Sequence, residues 1–205
     1  MNVLVLNFQG AEPKTLFSDE RLENLHRLMD MGCYGELSSS SEWNVLARQE
    51  NHTLILMEFF QQADKLCVDI TDPVTLREKL SVGDWDYLQF TAASFPADTW
   101  SADDYLRLEN ELGEILQDLD DDTIITILGK NCFVLVSANN PISGEHKGGS
   151  SADIAPTLAQ LAGYPLPSVT EGNSWVAGMD LNSASGLTTD EQEILRDRLS
   201  GLGYI

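Results

Sequence analysis

The sequence predicts an α/β fold, a three-layer α/β/α sandwich around a mainly parallel sheet. Two observations predict it. Apolar runs of strand length alternate along the chain with amphipathic runs of helical period, the pattern of βαβ units. The first of those runs, MNVLVLNF, hardly alternates between apolar and polar positions, which suits a strand covered by helices on both faces. The 205 residues suffice for one core, since a chain of this size buries roughly 70% of its unfolded surface. No linker or internal repeat divides them, so residues 1–205 read as a single domain.

The elements follow in order. Met1 to Phe8 is the first strand, ended by Gln9 and Gly10. Ser18 and the acidic pair after it head a helix with Leu22, Leu25, Leu28 and Met29 at spacings of three and four, stopped by Gly32. Tyr34 to Leu37 reads as a second strand, and the serine loop Ser38 to Ser41 caps a helix through Trp43 and Leu46. His52 to Phe60 and Lys65 to Ile70 read as a strand pair, the first run being compatible also with a helix. Asp72 and Pro73 start a helix to Leu80 through the N-cap and N1 preferences. Trp85 to Ala92 is a buried strand.

Ser101 caps the longest helix, Ala102 to Leu119, and Asp120 to Asp122 close it. Thr123 to Leu128 and Cys132 to Ser137 flank Gly129, Lys130 and Asn131 as a hairpin. Ser151 to Ala162 is helical before Gly163 and Pro165, and Thr188 to Leu199 forms a last helix. In such folds a ligand crevice lies at the carboxyl ends of the strands. Here those ends are Asn7 to Glu12, Ser38 to Glu42, Thr91 to Phe95 and Gly129 to Asn131.

Twelve basic against 33 acidic residues give a net charge of −21, which repels phosphate backbones and anionic lipid. Nucleic acid and membrane are therefore not expected as partners. No run reaches the roughly 18 apolar residues of a membrane helix, and no basic region precedes MNVLVLNF, so a cytoplasmic protein is expected. Cys33, Cys67 and Cys132 are odd in number and outside any CxxC spacing, as expected of core thiols in a reducing compartment. The acidic run Asp118 to Asp122 lacks the glycine and distal glutamate of a calcium loop and reads as a solvated helix end. Trp85 and Trp100 read as packing residues before they read as a binding platform. There is no GxGxxG or GxxxxGK[ST], and no serine–histidine–acid pairing stands out.

Several stretches, in the right order, resemble the alkaline phosphatase superfamily, in particular its phosphodiesterase, nucleotide pyrophosphatase and sulfatase branches. VLVLNFQGAEP is similar to the first strand and its DG turn, and LENLHRLMDMGCYGEL to the helix and strand that follow. DWDYLQFTAASFPADTW resembles the strand before a ligand pair, and DLDDDTIITILGKN the passage into a metal-binding Asp-His. ADIAPTLAQLAGYPLP, Ala152 to Pro167, is the most specific match, and LRDRLSGLGYI has the same flavour. The resemblance implies an alkaline-phosphatase-like core without the usual cap and metal-site insertions. It also implies two divalent cations beside a hydroxyl or thiol nucleophile, clamping the attacking and leaving oxygens.

At the positions the resemblance assigns to ligands, this chain departs from the pattern. The Asp of the DG turn is Gln9, with Asn7 two residues before and Glu12 three residues beyond. The Asp and His before the Trp fall on Ala93 and Ala97, beside Asp98. The Asp-His-Gly after the strand falls on Lys130, Asn131 and Cys132, which puts a cation where a metal would sit. The nucleophile falls among Ser38 to Ser41, nearest to Ser39. Of the three histidines, His26 lies in the first helix and His52 in an apolar run, which leaves His146 as the one to approach the crevice. A dinuclear site needs about six or seven protein ligands, far more than these positions supply.

The chain therefore reads as a catalytically inactive relative, with no metal and no cofactor, kept as a binding or scaffolding subunit for a protein partner or a second copy. Lys130 and Asn131 could hold an anion in the metals' place. One alternative is a metal-dependent phosphodiesterase, phosphatase or sulfatase with relocated ligands, using Ser39, Asp98, Glu12 and His146. Another is an acidic adaptor for a basic protein.

Overall fold

The computed structural model of the chain describes residues 1–38, 42–50, 52–138, 142–179 and 200. In chain order the strands are β1 (Val3–Asn7), β2 (Cys33–Ser38), β3 (Val45–Gln49), β4 (His52–Ile55), β5 (Cys67–Ile70), β6 (Tyr87–Thr91), β7 (Ile124–Gly129), β8 (Cys132–Val136), β9 (Gly144–Glu145) and β10 (Gly149–Ser150). The α-helices are α1 (Pro13–Ser18), α2 (Glu23–Met31), α3 (Leu56–Gln62), α4 (Pro73–Val82), α5 (Ala102–Ile115) and α6 (Ile154–Leu161), the last preceded by a 3-10 turn, Ser151–Asp153.

Eight strands form one sheet in the order β10-β2-β8-β7-β1-β6-β5, with β9 also beside β2. β1 lies between β6 and β7, parallel to both, and β5 extends β6 in parallel. β8 is the antiparallel member, paired with β7 on one side and β2 on the other. The architecture is thus α/β with a mostly parallel sheet between helical layers. Val3 and Val5 point into a core shared with α3 and α6, whereas Leu4 and Leu6 point into one shared with α2, α4 and α5. Both sets are fully buried, which is why the segment is apolar at successive positions. Each such side chain contributes about 1.5–3 kcal/mol by leaving water.

Local sequence explains the helix ends. The Ser101 hydroxyl accepts from Asp104 N–H, and the Asp104 carboxylate accepts in turn from Ser101 N–H at 2.7 Å, a capping box. Buried Glu109 of α5 accepts from Asn24 N–H at 2.6 Å and Leu25 N–H at 3.4 Å. A carboxylate from one helix therefore satisfies the free amides at the positive end of another.

Five expectations are corrected. No helix passes through Trp43 and Leu46; Val45–Gln49 is β3, in a separate antiparallel hairpin with β4. The run His52 to Phe60 is strand, then helix. Leu56, Phe59 and Phe60 bury at helical spacing, and Glu58 accepts from Ile55 N–H at 3.5 Å to start the turn. Lys65 to Ile70 does not pair with that run but supplies β5 beside β6. Ser18 does not cap α2; it ends α1, a helix begun by Pro13, and its hydroxyl donates to Lys14 O at 2.7 Å. The longest helix also stops at Ile115, short of Leu119. The helix read at Thr188 to Leu199 lies outside the described residues. Among the described residues no helix is long and apolar enough to cross a membrane.

Candidate functional site

The carboxyl ends of β1 and β7 open into a crevice of about 280 Å³, lined among others by Asn7, Gln9, Glu42, Trp43, Lys130, Asn131 and Ser151. Backbone bonds fix it. Phe8 N–H donates to Leu128 O at 2.7 Å, Lys130 N–H to Ala11 O at 2.7 Å, and Leu37 N–H to Asn131 O at 2.7 Å. The turn after β1, the β7–β8 turn and the end of β2 are thereby tied together. Gly129 permits this close approach, because a Cβ there would meet Ala11 O at 2.6 Å and Cys132 Sγ at 2.7 Å. Asn131 takes the left-handed conformation, φ 58°, which asparagine tolerates better than most residues.

At the floor lies Asn7, 7% exposed, the last residue of the central strand. Its carboxamide has no hydrogen-bond partner among the described residues. Its polar atoms are not among the buried unpaired ones and so face the crevice, where solvent or a ligand can pair with them. Gln9 stands exposed at the rim. Lys130 Nζ lies 3.4 Å from Glu12 Oε1, both side chains about half exposed, and Glu12 is positioned by its N–H donating to Tyr105 Oη at 3.0 Å. A carboxylate and an ammonium thus neutralise each other at the mouth. Burial pushes the Cys132 thiol in the wall up to about 12.

The loop after β6 is built differently. Ala93, Ala97 and Asp98 are exposed and do not line the crevice. Between them the loop turns its large side chains inward. Phe95 stacks on Trp100 at 4.7 Å between centroids, and Phe8 meets both rings edge-on at 5.4 and 6.1 Å. Trp100 Nε1–H donates to Pro96 O at 2.8 Å, while Arg107 lies over the Phe95 ring at 4.3 Å and donates to Ser94 Oγ at 2.6 Å. Trp85 and Trp100 are both buried packing residues.

His146 is also outside the crevice lining. Its ring packs on Trp175 at 4.6 Å, and Phe133 lies at 6.3 Å. Ser39 lies outside the described residues, while Ser38 Oγ donates to Gly149 O at 3.3 Å.

The structure therefore brings together Asn7, Gln9, Glu12, Lys130 and Asn131, and leaves Ala93, Ala97, Asp98 and His146 elsewhere. Glu42, at the end of the segment Ser38 to Glu42 that the sequence marks, also lines the crevice; sequence reasoning missed Trp43 and Ser151 as lining residues. The available signal was their position just after β2 and just before α6, at the same end of the sheet. Asp153, within the most specific matching stretch, holds that end together: its carboxylate accepts from Ser150 N–H at 2.9 Å, Asn173 N–H at 2.8 Å and Trp175 Nε1–H at 3.3 Å. Compared with known proteins, the chain matches no family model and no curated protein.

The donors in the crevice do not suit a divalent cation. Carboxamides are weak ligands beside carboxylates and imidazoles, and an ammonium repels the ion outright. Among the described residues no group of three or more His, Cys, Asp or Glu side chains converges anywhere. The crevice can instead hydrogen-bond a small polar molecule through groups that both donate and accept.

Proposed function

We propose that this chain is a catalytically inactive, metal-free relative of the alkaline phosphatase superfamily that serves as a binding or scaffolding subunit. The observation that carries the reading is Lys130 in the crevice, its ammonium 3.4 Å from Glu12 where the resemblance would have a metal. Gln9, Ala93, Ala97 and Asn131 at the other ligand positions support it. So does the loop after β6, in which Phe95 and Trp100 pack inward while Ala93, Ala97 and Asp98 stay outside the crevice lining that holds Lys130. Partner binding, by a protein or by a second copy, is then the retained activity.

Inductively coupled plasma mass spectrometry tests the reading on protein incubated with zinc, manganese and calcium and then desalted. No stoichiometric metal is expected, and no turnover of aryl phosphodiester or aryl sulfate. About two tightly held ions per chain, as a two-metal hydrolase requires, would overturn it in favour of a hydrolase with relocated ligands.

A further inference from the structure

We infer that the crevice binds a small, uncharged, hydroxyl-rich ring, a single sugar or cyclitol, anchored by Asn7. The inference rests on the crevice being a metal-free binding site, and it specifies the ligand. A nearly buried side chain with both donor and acceptor groups unused, at the end of the central strand and lining an open crevice, is a standing demand for a polar ligand. Asn7, Gln9 and Asn131 present three carboxamides, each a donor and an acceptor. A hydroxyl group has the same dual character, so a polyol can use both halves of each amide. A sulfate, or a fully ionised phosphate, can only accept, and so would use the amide N–H groups and leave the carboxamide oxygens unserved.

Charge points the same way. Among the described lining residues Lys130 is the one cation, and Glu12 already engages it at 3.4 Å. Glu42 lines the same crevice, and the whole chain carries −21. An incoming anion therefore meets a negative field with its single counter-charge in use. Trp43 adds an aromatic surface to the wall, suited to the C–H face of a ring. The volume, about 280 Å³, lies just under the roughly 300–1,000 Å³ of drug-sized sites, which fits one ring.

Saturation-transfer NMR on the full chain tests this with methyl glucoside, methyl galactoside, methyl mannoside and myo-inositol, alongside inorganic phosphate and sulfate. Transfer to at least one neutral ring is expected, with an affinity that stays constant from about 0.05 to about 0.5 M salt. Asn7→Leu should lower that affinity about tenfold or more while largely keeping the melting temperature, because it breaks no hydrogen bond between described residues and replaces the amide by an apolar side chain of similar size. If that variant fails to fold, Gln9→Leu at the exposed rim reads the same site, with an expected loss of about threefold or more.

Binding of phosphate or sulfate with the neutral rings silent would overturn the ligand class and leave the metal-free reading standing. Ring binding unchanged in Asn7→Leu, or silence from all four rings, would overturn the inference as well. Stoichiometric zinc with ester turnover would instead overturn the proposed function beneath it.

Discussion

Two loops leave the same end of the sheet and are built in opposite ways. The loop after β6 (Ala92 to Trp100) is closed: its aromatic rings face inward, and only alanines and an exposed aspartate occupy the positions where ligands are expected. The turn after β7 stays open, with Lys130 and Asn131 at the mouth of a crevice and Asn7 unpaired beneath them. One side is built for packing, and the other leaves a polar cavity. Two loops at one end of a sheet can therefore be put to different uses, because each packs on its own set of neighbours.

The comparison breaks most readily at the closed loop. Trp100→Ala removes the ring that joins Phe8, Phe95 and Tyr105, and should cost about 3–5 kcal/mol in urea unfolding. A loss under about 1 kcal/mol would show that the aromatic closure does not hold this loop. Gly10→Ala probes the seam between the loops, since a Cβ there would collide with Pro96 O and the Trp100 ring. About 1–3 kcal/mol is expected from that overpacking, read in the same assay.

Rebuilding the open side sharpens the contrast. The triple variant Gln9→Asp, Lys130→Asp, Asn131→His should gain about one zinc ion per chain, not two, by mass spectrometry. Asp98, the one carboxylate of the loop after β6, is exposed and does not line the crevice, so it cannot complete a second site.

The thiols give a pH test. Burial raises Cys33 and Cys132 to about 12, and half-buried Cys67 likewise, from the ordinary value of 9.0. Because the folded values are the higher ones, their neutral forms favour the native state fully below about pH 9. That contribution falls away as the pH rises toward 12. Denaturation midpoints should accordingly decline across that window, and Cys33 and Cys132 should resist iodoacetamide at pH 8 until the protein is unfolded. The smallest effect is that of Glu12→Gln, which frees a surface ammonium and should change stability by under about 1 kcal/mol.

Much of the fold was legible because burial on both faces writes itself as uninterrupted apolar runs. β1, β6 and the β7–β8 hairpin emerge where the sequence puts them, and so do the caps at Asp72 and Ser101. The segment Trp43 to Ile70 did not, because a helix following a strand without a break leaves one apolar run containing two periods. At the site, Asn7, Gln9, Lys130 and Asn131 could be found because turns follow strands at predictable places. Glu42 fell within a strand-end segment for the same reason, whereas Trp43 and Ser151, just after β2 and just before α6, were harder to single out because their approach depends on how those elements pack. The inward turn of Phe95 and Trp100 is likewise a tertiary event, which no local pattern in the loop encodes.

The place of β1 has a consequence for biogenesis. It is made before both of its ladder partners, which begin at Tyr87 and Ile124. Until those are translated, VLVLN waits as an apolar strand with two unsatisfied edges, the kind of species that chaperones retain and that aggregates when they do not. The crevice above it is correspondingly a late product: its floor cannot close until the β7–β8 hairpin has been translated and has docked.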